Sequence, residues 1–293
     1  MERSDHLSPR PSGRRILVRR VVAVAAVVVL VGGGAGAAIA IHRSSAKAPP
    51  PTTTTQLHQF RILFPEGFTR AQMGAQVNAV QKIADHEHHG KVKLSEAAYL
   101  AATKRPRIIP GFGSKPLQIE GFLFPSTYDF DKKSTSTDLV DEQLATFKSE
   151  FGKVDLSYAR SKNLTPYDVL TIASMIQGEV QVPSENKLVS AVIYNRLHDH
   201  MTLGIDATLR YGLHIRPTQS LGPYLQSDNP YNTRKFPGLP PTPIGNPGLA
   251  AIDAAAHPAK VDYLYFVRKP DHKHHYFTAS YQDFLDHEAQ YGY

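Results

Sequence analysis

The 293-residue chain contains no cysteine, which excludes disulfides and thiol chemistry and leaves the chain compatible with an oxidising compartment. It has no glycine-rich phosphate-binding loop. Its net charge of +7 is not interleaved with aromatic residues along a binding stripe, so nucleic acid is excluded as the expected partner. Much of the basic excess lies in the first twenty residues. Arg10, Arg14, Arg15, Arg19 and Arg20 stand there against Glu2 and Asp5. Charge is then missing altogether from residues 21–41, close to the ~20 apolar residues that span a bilayer.

The basic tail of residues 1–20 before this run predicts a single-pass membrane anchor with its N-terminus in the cytoplasm and the remainder outside. A cleaved signal peptide also begins with basic residues, but its apolar run is usually about 7–15 residues. The small residues at 35–40 would suit a cleavage site, so retention of the anchor is open at this level. Residues 42–56, rich in proline and threonine, read as an extended, solvated linker.

The remainder reads as an α+β protein in two parts, a small α/β module at 57–114 and a larger α+β domain at 115–293. In the module, a strand at 59–64 leads through a Pro-Glu-Gly turn into a helix at 69–82 capped by Thr69. A second helix covers 94–103, with Ser95 as its cap. Residues 106–115 read as a connector. Residues 119–130 are expected to form a core strand and turn, and 138–151 a helix.

A helix at 165–180 is well marked, with Thr165 as N-cap, Pro166 at the first helical position and Asp168 at the positive end of the dipole. Ser184 is expected to cap the next helix, to about Leu197. From Asp206 onward the chain turns irregular, with rigid Pro/Gly loops at 229–233 and 236–248. Long loops of this kind in a compact domain are more often functional than accidental. An alanine-rich helix at 249–256, a hairpin of strands at 263–267 and 275–278, and a helix at 280–289 complete the pattern.

Within the 165–180 helix, Val169, Ile172, Ala173, Ile176 and Val180 form an apolar stripe. Glu179 falls beside that stripe. A carboxyl there is partly desolvated, which raises its pKa and suits it to general acid catalysis. The plainer alternative is a glutamate fraying into solvent at a helix end. Glu120, Asp129 and Asp206 are further carboxylates of interest, with Glu120, before a large apolar run, read as structural or substrate-positioning. Tyr128, Asn195, Thr208, Tyr231, Asn232 and Thr233 are polar or aromatic groups of the kind that contact sugars. Two histidine clusters, at 85–89 and 272–275, lack the spacing that presets a tetrahedral site, so no metal and no cofactor is expected.

Several strings resemble, in order, the boxes of the MltG/YceG-like family of endolytic murein transglycosylases. IEGFLFPSTY at 119–128 is similar to that family's LEGFLFPxTY, and ASMIQGE at 173–179 to its ASIVExE. NRL at 195–197 ends the next helix as in the family. DATLRY at 206–211 is similar to DPTxxY, PYNT at 230–233 is shared, and GLPP at 238–241 with PIGNPG at 243–248 resembles GLPPxPIxNPG. AHPA at 256–259, YLYFV at 263–267 and HYF at 275–277 complete the set.

The resemblance implies a small LysM-like subdomain, a catalytic domain with Glu179 as its essential acid, and cleavage within peptidoglycan glycan strands to leave 1,6-anhydro-muramoyl ends. Substrate contacts are expected from Glu120, Tyr128, Asn195, Asp206, Thr208, Tyr231, Asn232 and Thr233. A role in ending nascent strands would place the chain beside peptidoglycan synthases. The sequence departs from the pattern at Gln177, where the family has an acid, at Ala207, where it has proline, and at residues 203–205. Residues two apart on a helix face different ways, so Gln177 cannot share the role of Glu179. A catalytically silent wall-binding scaffold and a water-using muramidase are the competing readings.

Overall fold

The computed structural model describes residues 60–87 and 91–293. The expected basic tail, membrane span and linker lie outside the described residues, as do His88 and His89. No described helix is long and apolar enough to cross a membrane.

The elements run β1 (Phe60–Leu63), α1 (Arg70–Glu87), α2 (Glu96–Lys104), β2 (Thr127–Phe130), α3 (Ser136–Phe151), α4 (Ser157–Ser161), α5 (Pro166–Glu179), α6 (Asn186–His198), α7 (Asp206–Gly212), α8 (Leu249–Ala256), β3 (Tyr265–Arg268), β4 (His275–Thr278) and α9 (Tyr281–Tyr291). The protein is thus α+β, with two antiparallel two-stranded sheets among the described residues. Short 3₁₀ turns at Pro183–Glu185 and Gly222–Tyr224 join them.

Two apolar cores organise these elements. The smaller gathers Ile62 and Phe64, Met73 and Val77 of α1, Tyr99 of α2, then Ile119, Leu123, Tyr128 and Phe130, and Leu139 and Val140 of α3. β1 pairs with β2, Phe60 opposite Phe130, and the two rings stack at 5.2 Å. The small core therefore draws on residues from both sides of position 114. Only Thr127–Phe130 of the expected 119–130 strand is extended. Its first part is a buried irregular loop between the two cores, and a glycine dictates this. Gly121 has φ +92°, and a Cβ there would meet Pro243 at 2.7 Å.

The larger core centres on α5, which packs most extensively on α8. Its start is as the sequence dictates. Thr165 and Asp168 form a reciprocal capping box, with Pro166 inside the first turn. The helix is not amphipathic, however. Eight consecutive residues, from Val169 to Ile176, are buried, because neighbours surround it on all sides. Its polar members are satisfied internally. Thr171 donates to Tyr167 O, and Ser174 donates to Thr171 O while accepting the Ile244 N–H.

Three other local expectations change. Ser184 lies inside the 3₁₀ turn and caps nothing, and α6 starts at Asn186 without a side-chain cap. Residues 206–212 form helix α7 rather than a loop. A short helix, α4, stands where none was expected. The hairpin is confirmed, with β3 paired to β4 and Arg268 opposite His275.

Asn246, fully buried, fastens the cores together. Its Oδ1 accepts the N–H groups of Gly121 and Leu123, each at 2.9 Å. Its Nδ2 donates to Phe68 O at 2.8 Å and to Glu120 Oε1 at 2.9 Å. Its own backbone donates to Phe68 O and accepts from Gly67. Replacing Asn246 by alanine strands two buried N–H groups at about 1–3 kcal/mol each. We expect Asn246→Ala to lower stability by about 3 kcal/mol or more, measured by chemical denaturation of the full chain.

Candidate active site

Glu179 is the last residue of α5. Its side chain is 12% exposed, so the reading of a glutamate fraying into solvent fails. It sits at the negative end of the helix dipole, which disfavours a carboxylate. Gly178 lets α7 approach closely, since a Cβ there would stand 3.0 Å from the Ala207 Cβ. That approach brings the Ala207 N–H to 3.2 Å from Glu179 Oε1. From the hairpin, Arg268 Nη2 lies 3.8 Å from Oε2 and donates to the Glu179 carbonyl at 3.3 Å.

These groups pull in opposite directions. Burial pushes the Glu179 carboxyl up, and the charge of Asp206 adds to this, while the Ala207 N–H, Arg268 and His275 oppose it; the net shift is upward. Burial wins because a single amide N–H and an arginine at 3.8 Å replace little of the hydration that the carboxylate loses. The group is therefore held toward its protonated, proton-donating form.

Gly178 and Ala207 line a cavity of ≈650 Å³. Glu120, Gln177, Tyr211 and Tyr231 line the same cavity. Glu120 is 7% exposed. It accepts from Arg70 N at 2.9 Å, Asn246 Nδ2 at 2.9 Å and Tyr211 Oη at 3.2 Å. Burial nevertheless raises its pKa from 4.5 to about 7. Tyr211 and Ala207 are four residues apart on α7, hence on one face and about 6 Å apart along the axis. One short helix thus links the two buried carboxyls. Gln177 turns elsewhere, and its Oε1 accepts the Gly248 N–H at 3.0 Å. A second cavity of equal volume is lined by Ile109, Phe112, Phe147 and Phe151 and has no carboxyl in its wall.

The remaining residues singled out from sequence divide by what they touch. Tyr231 lines the cavity, its hydroxyl paired with Thr242 Oγ1 at 2.7 Å and its ring 5.2 Å from that of Tyr211. Asp206 opens α7 next to Glu179 and is held by Arg234 at 2.6 Å. Thr208 and Thr233 are buried, bond each other at 2.9 Å and close on the backbone of Ile205. Asn232 is buried and donates to Leu225 O and Ser227 O. Asn195 donates to Val261 O and Tyr263 O, outside the cavity wall. Tyr128 lies in the small core, its hydroxyl on Phe124 O. These five spend their polar atoms on the protein's own backbone and on each other, Thr208 and Thr233 fixing the start of α7.

Sequence reasoning missed two groups. Ala207 acts through its backbone, so its side-chain identity carries no signal. Arg268 left one trace, a lone cation ending the apolar strand Tyr265–Arg268. Among the described residues no cluster of three or more metal-ligating side chains occurs.

A family profile described as YceG-like matches residues 42–290. The chain belongs to the YceG-like family. Among its relatives, a Bacillus subtilis protein named endolytic murein transglycosylase is 30% identical over 221 residues, covering 72% of this chain and 60% of that protein. One of the same name from Streptococcus pneumoniae serotype 2 is 31% identical over 220 residues, covering 70% and 40% respectively. The YceG-like chain thus spans less than two thirds of the length of either relative. A crystal structure of a YceG-like protein from Listeria monocytogenes superposes with a TM-score of 0.66 at 27% identity, covering 77% of this chain and 75% of that one.

Glu120 makes this YceG-like site pH-sensitive. A carboxyl raised from 4.5 to about 7 on folding stabilises the fold fully below the unfolded value, and that contribution is lost as pH rises through the folded value. Glutamine preserves the shape and cannot titrate. The stability of the wild type relative to Glu120→Gln should therefore fall by up to about 3 kcal/mol from pH 4.5 to above 7, followed by melting temperature at matched pH.

Proposed function

We propose that the chain is an endolytic lytic transglycosylase that cuts peptidoglycan glycan strands between N-acetylmuramic acid and N-acetylglucosamine. The observation that carries this is the Glu179 carboxyl, desolvated and raised in pKa, whose chain neighbour Gly178 and amide partner Ala207 line a cavity. The names of its relatives point the same way. Protonated Glu179 donates its proton to the glycosidic oxygen as the bond from the muramoyl C1 to that oxygen breaks. The C6 hydroxyl oxygen of the same muramoyl residue bonds to C1, and its proton passes to the Glu179 carboxylate. The acid is regenerated, no water is consumed, and the product ends in a 1,6-anhydro ring. One carboxyl suffices because the nucleophile is already part of the substrate. The Ala207 N–H and Arg268 stabilise the carboxylate between the two transfers.

One observation favours a second reading. Asp206, ion-paired with Arg234 at 2.6 Å, stands close enough to Glu179 to raise its pKa. A glycosidase that uses water needs such a second carboxylate. Hydrolysis leaves a product about 18 mass units heavier than the anhydro form, so mass spectrometry of the products separates the readings. In the cell, residues 21–41 would anchor the chain in the cytoplasmic membrane with the catalytic part outside. The small N-terminal module would act as a LysM-like glycan grip, and the enzyme would end nascent strands beside peptidoglycan synthases. The membrane reading rests on the uncharged run and its basic flank.

Two substitutions test the chemistry in the full chain. Glu179→Gln should lower the rate of anhydro-product formation by about 10²–10⁴-fold; equal release by both forms would remove Glu179 from the mechanism and favour a silent scaffold. Arg268→Gln removes a charge that lowers the Glu179 pKa. The acid form then persists to higher pH, and the alkaline limb of the kcat/KM profile should move upward.

A further inference from the structure

The cavity beside Glu179 is unevenly charged. Tyrosines aside, its ionisable wall residues are Arg70, Arg210, His214, Arg216 and the single carboxylic acid Glu120. Glu120 is already engaged by three donors. Among the described residues none of the three guanidinium groups is in an ion pair. Arg70 Nη1 bonds only neutral oxygens, Leu100 O at 3.2 Å and Thr103 Oγ1 at 3.5 Å. Arg210 Nη1 donates to Arg216 O and Gln219 O, both at 2.9 Å. Those bonds, with the Arg216 N–H on Gln219 Oε1 at 3.1 Å, fold the loop after α7 back onto the helix and fix the guanidinium while leaving its other donors available. The Arg216 side chain bonds nothing within the described protein. His214, exposed on the same rim, is held at φ +55°, a left-handed conformation that costs about 1 kcal/mol and that glycine adopts more readily. The wall therefore presents three guanidinium groups outside any ion pair, Arg70 and Arg210 held by hydrogen bonds and only Arg70 acting on the charge of Glu120, an excess of positive charge that a neutral sugar chain does not require.

We infer that this rim is a subsite for anionic substituents of the glycan, namely the carboxylates of the peptides carried by its muramoyl residues. The inference rests on the proposed glycan-cutting function. Guanidinium forks match carboxylates with paired hydrogen bonds. The same chemistry fits the pyrophosphate of a lipid-linked strand. Carboxylates fit better here because the cations are spread over two walls, Arg70 at the start of α1, and Arg210 in the last turn of α7 with Arg216 in the loop after it. A peptide presents several separated charges along the strand, whereas a pyrophosphate is one compact charge at a strand's end. Tyr211 and Tyr231, their rings 5.2 Å apart, line the same cavity and offer a surface for sugar rings.

The test measures binding by the full chain in detergent, carrying Glu179→Gln so that turnover is slowed well below the time of the measurement. Fluorescent glycan fragments of one length are compared by anisotropy, with peptides retained, with peptides removed, and with peptides removed but a terminal pyrophosphate present. Retained peptides should tighten binding about tenfold, an advantage that shrinks with salt. The double substitution Arg210→Gln, Arg216→Gln should bring the ratio of affinities close to one. Arg216→Gln alone should reduce the ratio without disturbing the loop, which guards against misfolding of the pair. Equal affinity for peptide-bearing and stripped fragments overturns the inference. So does loss of affinity for both by the same factor, and so does an arginine-dependent gain confined to the pyrophosphate fragment. The products that the unsubstituted chain forms from stripped glycan are analysed separately, so the lyase reading and the subsite can fail independently.

Discussion

A single buried amide, Asn246, holds the site in register. One face of it takes the N–H groups of Gly121 and Leu123, and the other gives hydrogens to Phe68 O and Glu120. Those partners come from the loop between the cores and from the turn before α1, while Asn246 itself lies more than 100 residues further on. A buried amide is worth having only when it is fully paired, because any unpaired donor or acceptor costs its whole desolvation energy. A partly formed arrangement is therefore costly. Gly121 and Pro243 press together at the same point, which leaves no room for adjustment.

From this fastening the two carboxyls acquire their properties. Glu120 is fixed by Asn246, by the backbone of α1 and by Tyr211; Glu179 is fixed by the other end of the same helix. Both are raised chiefly by burial. Their surroundings differ in what could stabilise charge. Glu120 faces three donors and lies deep in the wall. Glu179 has one backbone N–H and a distant arginine, at the negative pole of α5. The second arrangement leaves a proton available to be given away, and the first is suited to holding loops.

Local signals were legible wherever a short-range rule governs them. Thr165, Pro166 and Asp168 marked the start of α5, Ser95 marked the start of α2, and the HYFT strand was visible from its β-forming residues. Ser184 was misread because Pro183 forms a 3₁₀ turn before α6 can begin. Helix α7 was missed because it is short, follows a loop and lacks a side-chain cap; contacts with α5 and Thr233 hold it rather than propensity. At the site, Glu179, Glu120 and Tyr231 were legible as residues. Asn232, Thr208, Thr233 and Asn195 carry the polar atoms expected of sugar contacts, yet they bond the backbone, and composition cannot distinguish those uses.

The sequence by itself determined which carboxyl sits at the end of the central helix, where that helix starts, and the succession of motifs that marks the family. Those follow from near-neighbour rules and from residue identity. Only the tertiary structure decided that α5 is enclosed on all sides, that a backbone N–H at Ala207 and a guanidinium at Arg268 meet Glu179, and that Glu120 joins its wall. The physical reason is distance along the chain. Each of these contacts joins residues tens of positions apart, and their energies depend on desolvation, a property of the assembled cavity and not of any one segment.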